Sequence, residues 1–223
     1  MKYFYQGNFD PEKLHPLNID CQAVFLVPEK SRVLEIGCAD GFMGDYLIKN
    51  KKCSVFGVEM DKEAAEKAKE RGLVVITGDI EKEETLNKLK KEEKFQVILC
   101  TSVIEHLKDP GKALRNWRSF LSNEGLLIVS TPNIGHFSAR IEILLGNFPS
   151  HDYGIFDENH LHFFTLKSFQ RLIKKNGFNL EHLGIDPIGG GWPKISRFLS
   201  LFFPGLFAYQ IIIKAKKASD KLF

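Results

Sequence analysis

The stretch Val33 to Gly44, VLEIGCADGFMG, sets a carboxylate and then a run of small residues at the end of an apolar segment. Backbone stripped of side chains at such a place can approach a ligand closely, as in nucleotide-cofactor turns. A pyrophosphate site asks for Gly-x-Gly-x-x-Gly, so that amides and a helix N-terminus reach the phosphates. Counting from Gly37, the second glycine is replaced by Ala39 and the third by Phe42, and Asp40 adds a carboxylate where a phosphate would sit. Two like charges a few ångströms apart in a cleft cost on the order of a few kcal/mol. The turn therefore suits NAD or FAD poorly. It better fits a ligand with a cationic amino group and no phosphate, and Glu35 points the same way. Proton chemistry is offered by His106 in IEHL, histidine being the usual residue for general acid–base work; the alternative is that Glu105 and His106 only cap or orient the next helix. A second cluster, HDYGIFDENHLHFFT, holds His151, Asp152, Tyr153, Asp157, Glu158, His160 and His162. These are metal-ligand types, but their spacing matches no strong metal signature, so the stretch is assigned to a substrate-side loop and no metal is expected.

The elements that must position these groups alternate along the chain. RVLEIG, CSVFGVE, LVVITG, FQVILC, GLLIVST and FNLEHLGI are short apolar runs of the kind buried on both faces of a sheet. DKEAAEKAKER, EETLNKLKKEE, PGKALRNWRSFL and LKSFQRLIKKNG lie between them with charged, helical spacing. This alternation predicts an α/β fold: an open, doubly wound, mostly parallel sheet, with ligands outside the carboxyl ends of its strands. The loops after the first, second and fourth strands then become the ones that carry chemistry.

Two stretches break the rhythm. PNIGHFSARIEILLGNFPSHDYGIFDENHLHFFT is too long for a simple connection and reads as a lid or substrate platform. GGGWPKISRFLSLFFPG reads as an insertion before a last strand, FAYQIIIKAKK. The expected organisation is one domain over 1–223. It comprises an N-terminal arm or helix (1–31), a cofactor-binding half (32–131), a lid insertion (132–165), and a C-terminal helix with strands and the apolar insertion (166–223).

Composition narrows the function classes. With 223 residues, 43% hydrophobic and 26% charged, the chain has the make-up of a soluble globular protein. Its formal net charge of +3 arises from lysines interleaved with glutamates. Such a pattern marks solvated helix faces rather than a nucleic-acid stripe. Cys21, Cys38, Cys53 and Cys100 form no C-x-x-C pair and are read as reduced thiols, without disulfide or structural zinc. The first twenty residues lack the apolar core of a secretory signal, and a cytoplasmic location is expected. ISRFLSLFFPGLFAYQIII is interrupted by Arg197, Pro204, Gly205 and Gln210, which argues against a membrane span. Peripheral contact with a membrane through 194–217 stays open beside a packing or lid role.

At this point the sequence resembles the class I S-adenosylmethionine-dependent methyltransferases, over about residues 32–184. VLEIGCADG looks like the family's acid-x-G-x-G-x-G motif, with Glu35, Gly37 and Gly41 matching and Ala39 departing. VFGVEMD looks like the second motif, whose acid, here Glu59, accepts hydrogen bonds from the ribose hydroxyls, with Met60 beside it. TGDI resembles the third, in which Asp79 meets the adenine amino group and Ile80 packs on the ring. FQVILCTSVIEHLKDP resembles the fourth, where the backbone of Cys100, Thr101 and Ser102 lines the methionine end. The resemblance implies a Rossmann-like, seven-stranded sheet with an antiparallel last strand, S-adenosylmethionine as cofactor, and contacts from Glu35, Gly37, Cys38, Ala39, Asp40, Gly41 and the residues just named. Bland alternatives remain for Glu59, as a solvent-facing strand end, and for Asp79, as a turn or helix cap.

HLHFFT followed by a helix and NGF looks like a subgroup that includes quinone-biosynthesis and sugar- or glycan-modifying members. There His160 would face the acceptor or stabilise the lid. The expected activity is direct methyl transfer to a small-molecule or carrier-linked acceptor, oxygen favoured, with His106 and His160 as catalytic candidates. Base-nitrogen methylation is disfavoured, because CTSVIEH stands where an Asn/Asp-Pro-Pro-aromatic motif would be. The rivals are a turnover-deficient cofactor-binding sensor or subunit and a nucleotide-dependent oxidoreductase. The sequence sets no oligomeric state.

Overall fold

The computed structural model describes residues 9–187 and 193–219, with backbone alone for 193–196. Its elements run α1 (Ile19–Leu26), β1 (Arg32–Ile36), α2 (Phe42–Lys51), β2 (Ser54–Glu59), α3 (Lys62–Glu70), β3 (Val74–Thr77), α4 (Glu83–Leu89) and β4 (Phe95–Cys100). A 3-10 turn (Ile104–His106) follows, then α5 (Pro110–Phe120), β5 (Leu121–Pro132), α6 (Phe137–Leu144), α7 (Leu166–Lys175), β6 (Phe178–Asp186), α8 (Pro193–Phe202), α9 (Pro204–Phe207) and β7 (Gln210–Lys217). The seven strands form one sheet in the order β3-β2-β1-β4-β5-β7-β6. Pairing is parallel through β5, and β7 runs antiparallel to both its neighbours. Every strand lies where an apolar run predicts it, including the antiparallel last one. The part of the N-terminal arm on 1–8 lies outside the described residues.

Successive residues of the central strands enter different cores, which is why their apolar runs are continuous rather than alternating. Leu34, Ile98, Leu127 and Ile213 join the core that holds Trp117 and Phe169. Val33, Val97, Ile128 and Ile212 join the one that holds Val24, Leu47 and Ala68. Helices therefore cover both faces. The strand order reverses between β1 and β4, leaving a crevice at their carboxyl ends.

The long connection after β5 carries a helix, α6, that hydrophobic periodicity does not announce. Only Ala139 of α6 is buried, so its apolar residues do not mark an inward face. A small core of Ala139, Ile155 and Phe156, with Ile134 and Tyr209 against it, holds this segment together. The Ile134 and Phe164 backbones bond across its base, Ile134 N–H donating to the Phe164 carbonyl at 2.9 Å.

Candidate active site

Three residues of the turn after β1 take left-handed backbone: Gly37 at φ +72°, Ala39 at +48° and Gly41 at +80°. Space as well as φ demands glycine at two of them. A Cβ on Gly37 would run into the Val103 side chain, and one on Gly41 would lie 2.8 Å from the Ala68 Cα. Ala39 accepts the strained conformation at a cost of about 1 kcal/mol. It is tied down by Glu59, whose Oε2 accepts the Ala39 N–H at 2.9 Å while Oε1 accepts the Asp61 N–H at 2.8 Å. Each Glu59 oxygen keeps a second lone pair for another donor.

Glu35 is buried, and its carboxyl is pushed up to about 8, first by burial and then by the charges of Asp20, Asp40 and Glu59. The Gly44 amide is the backbone donor that pulls the other way. A cation arriving in this acidic nest would favour ionised Glu35. Asp40 behaves differently from the charge argument made for it. It is buried and accepts the Arg71 Nη2–H at 2.8 Å, so a cation of the protein balances part of its charge.

Met60 is exposed beyond β2. Asp79 accepts the Glu81 N–H at 2.8 Å, forming a local turn. Ile80 is buried in the core beside Leu86 and Leu107 rather than standing open at the crevice. Cys100 is buried with its thiol pushed up by burial and the nearby Glu105, and the Cys38 thiol is also raised by burial. Neither is fitted to nucleophilic work. All four cysteines are free and buried, as their reduced reading requires. Ser102 adopts φ +51°, and its N–H donates to Ser130 Oγ at 3.1 Å, turning the chain after β4 across the mouth of the crevice.

The two histidines singled out from sequence meet here. The His106 and His160 rings lie 4.7 Å apart, edge to face. His106 Nδ1 is 3.0 Å from the Asn159 carbonyl and His160 Nδ1 is 3.3 Å from the Ile155 carbonyl. A carbonyl only accepts, so each Nδ1 carries the hydrogen, and each neutral ring keeps its lone pair on Nε2. Burial and the adjacent His106 lower the His160 imidazole's basicity. His151 and His162 stay apart from this pair. His151 pairs with Asp157 in an isolated bridge, and His162 stacks on Phe164 with its Nε2 3.3 Å from the Lys108 carbonyl.

Glu105, read from sequence only as a helix-orienting residue, turns out to organise the cluster. Its carbonyl accepts the Leu161 and His162 N–H groups at 2.9 and 3.0 Å, pinning the lid insertion to the turn after β4. Its buried carboxyl lies 3.9 Å from His160 Nε2, with Thr131 beside it, and burial raises it to about 8. Ligand atoms of Glu105, His106 and His160 all lie within 4.8 Å of one another, so the three could hold a metal ion. The only local signal for Glu105 was its place beside His106. Its burial depends on a segment more than fifty residues away.

Comparison with known proteins identifies the family of the chain. A family model described as "Methyltransferase domain" matches residues 20–183. A ubiquinone biosynthesis O-methyltransferase of Histophilus somni (strain 2336) is 34% identical over 157 residues, covering 65% of this chain and 64% of that protein. The protein of the same name from Neisseria meningitidis serogroup C (strain 053442) is 26% identical over 151 residues, 63% of each. The chain thus spans a little under two thirds of the length of these relatives. Among solved structures, an S-adenosylmethionine-dependent methyltransferase from Thermotoga maritima, described as a possible histamine N-methyltransferase, aligns with TM-score 0.60 at 24% identity, covering 89% of this chain and 87% of that one. Magnesium protoporphyrin IX methyltransferase from Synechocystis PCC 6803, with bound S-adenosylmethionine, aligns with TM-score 0.56 at 14% identity, covering 90% and 78%. Both likenesses concern the fold.

Proposed function

From the premise that the chain belongs to the class I S-adenosylmethionine-dependent methyltransferases, we propose that its acceptor is a hydroxyl of a small or carrier-linked molecule and that His106 takes the hydroxyl's proton. The observation that carries this reading is the bare Nε2 of His106, left by the Nδ1 contact to Asn159 in the turn after β4. The name O-methyltransferase on relatives at up to 34% identity supports oxygen as the atom methylated.

The residues present fit the cofactor. Gly37 and Gly41 hold the turn in left-handed backbone, too close to Val103 and Ala68 to carry a Cβ, and the buried Glu35 carboxyl beside Gly44 is an orphaned acceptor among the described residues. Glu59 and Asp79 would supply carboxylate acceptors, and the backbone of 37–41 and 100–102 the remaining contacts. When bound, the cofactor supplies a methyl group already activated on a sulfonium. The chain's own task is then to align the acceptor, worth up to roughly 7 to 11 kcal/mol, and to remove one proton. His106 Nε2 accepts that proton, and Asn159 and the His160 ring hold the imidazole in place. Phe163 lies 6.0 Å from His160 and Phe148 5.2 Å from Phe163, both edge to face, continuing an aromatic wall outward that suits a planar phenol or quinol over a sugar.

The test is cofactor consumption with a panel of quinols, catechols and sugars, beside calorimetric titration of S-adenosylmethionine. His106→Ala is expected to lower kcat by roughly 10² to 10⁴ with cofactor affinity unchanged. Tight cofactor binding with no methyl transfer to any hydroxyl would instead favour a turnover-deficient binding subunit. A second reading is favoured by the approach of Glu105, His106 and His160: a divalent cation held there would polarise the acceptor hydroxyl itself. Ligand atoms of a tetrahedral site stand roughly 3.3 Å apart, so the cluster would have to close inward. Loss of turnover in chelator, restored by added cation, would select this reading over the free base.

A further inference from the structure

Over residues 197–202, helix α8 turns large apolar side chains outward. Phe198, Leu201 and Phe202 recur at helical spacing and are 62%, 75% and 64% exposed, while Ser200 of the same helix is buried with its hydroxyl on the Arg197 carbonyl. Helix α6 repeats the pattern with Ile141 and Leu144, continued by Leu145 at its C-cap; Leu144 is 86% exposed. Both helices adjoin α9. Its Phe207 ring lies 5.6 Å from Phe137, the first residue of α6, and α8 packs on α9 directly.

A helix with an outward apolar stripe has its partner elsewhere, and the charge around α9 says of what kind. No Asp or Glu occurs between Asp186 and Asp220, a stretch that includes Lys194 and Arg197. Helix α7, which also packs on α9, lines an open groove with Lys167, Gln170, Arg171, Lys174 and Lys175. Leu, Ile and Phe beside Lys and Arg match the interfacial segments of membrane-surface proteins. Protein–protein hot spots favour Trp, Tyr and Arg instead, and Leu is under-represented in them. No helix among the described residues is long and apolar enough to cross a membrane.

We propose that the exposed faces of α6 and α8 form a docking surface for an anionic lipid bilayer, entered sideways and without spanning, with the cations of α7 and Arg197 meeting the headgroups. This goes beyond the reading of the acceptor and does not depend on it. Phe148 connects the two sites, because it packs on Phe163 of the aromatic wall and follows directly on the exposed end of α6.

The test is co-sedimentation of the full chain with vesicles of phosphatidylcholine, with and without phosphatidylglycerol. Binding is expected only with phosphatidylglycerol, weakening as salt rises. Leu201→Glu with Phe202→Glu, or Leu144→Glu with Leu145→Glu, should lower partition by tenfold or more. Because these side chains are exposed, thermal melting and calorimetric S-adenosylmethionine binding should stay at wild-type values, which separates loss of docking from loss of fold. The proposal is overturned if the wild-type chain stays in the supernatant at low salt, or if both double variants bind as well as it does. It is also overturned if sedimentation velocity shows a dimer that the same substitutions dissolve while vesicles recruit nothing; the face would then belong to a second copy.

Discussion

Glu35 holds the sharpest conflict between stability and function in the molecule. Its folded-state value of about 8 lies above the ordinary 4.5, so the folded chain keeps a proton there that the unfolded chain gives up. The stability this proton contributes is complete below about 4.5 and lost as pH rises through about 8. Glu35→Gln removes the titration while keeping the shape. Its thermal melting curves should fall less steeply across that window than wild type and show an advantage on the order of a few kcal/mol at its alkaline end. Calorimetry of the same variant should show weaker S-adenosylmethionine binding, because the cation loses its carboxylate. Wild-type cofactor affinity should climb with pH over the same range, as binding no longer has to expel the proton. Glu59 needs a gentler probe than alanine. Truncation would free the Ala39 N–H as well as any ribose contact, so Glu59→Gln, which keeps one acceptor oxygen, separates the two roles. If the ribose contact matters by itself, Glu59→Gln weakens binding about tenfold, or 1.4 kcal/mol, with melting unchanged. The acids at strand ends were legible from sequence because their positions follow from spacing alone. The Asp40–Arg71 pair and the burial of Glu105 were not, since each joins segments far apart in the chain.

At the scale of the element, the glycine turn tests which departures from its pattern are tolerable. Gly41→Ala combines φ +80° with a Cβ 2.8 Å from the Ala68 backbone of α3, and neither α2 nor α3 can retreat without opening the second core. It is expected to cost about 1 to 3 kcal/mol of stability and to reduce S-adenosylmethionine affinity more than tenfold, read by urea denaturation and calorimetry. Ala39→Gly should do almost nothing to stability. It relieves about 1 kcal/mol of left-handed strain but returns 0.5 to 1 kcal/mol of freedom to the unfolded chain. The same reasoning shows where element prediction succeeds. Buried strands and charged amphipathic helices carry their own period, whereas α6 buries only Ala139 and so gives no inward stripe to read. The insertion after β5 stands out in the sequence by its length. What fastens it, the Glu105 carbonyl and the small core around Ile155 and Phe156, is tertiary.

For the molecule as a whole, the last strand is the one that closes the sheet. β7 lies between β5 and β6 and bonds to both, from Leu126 opposite Lys216 to Asp186 opposite Gln210. Its three consecutive isoleucines divide between the cores, Ile211 and Ile213 to one face and Ile212 to the other. Without it, β5 would become the open edge, β6 would lose its one partner in the sheet, and apolar surface on each face would meet water. The active-site turn depends on the same strand, since Gln210 Nε2 reaches Ser102 Oγ at 3.5 Å and the Tyr209 carbonyl accepts the Asn133 N–H at 2.9 Å. A chain ended after Ala208 is therefore expected to show no cooperative urea transition by far-UV circular dichroism and no calorimetric cofactor binding. A truncated chain that still unfolded cooperatively would mean that β1 to β5 and their helices stand alone. Ile212→Ala offers the milder version, with an expected cost of 2 to 5 kcal/mol. Because Ile212 packs in the core that includes Val33 and Leu47, that loss should appear as reduced stability in urea denaturation.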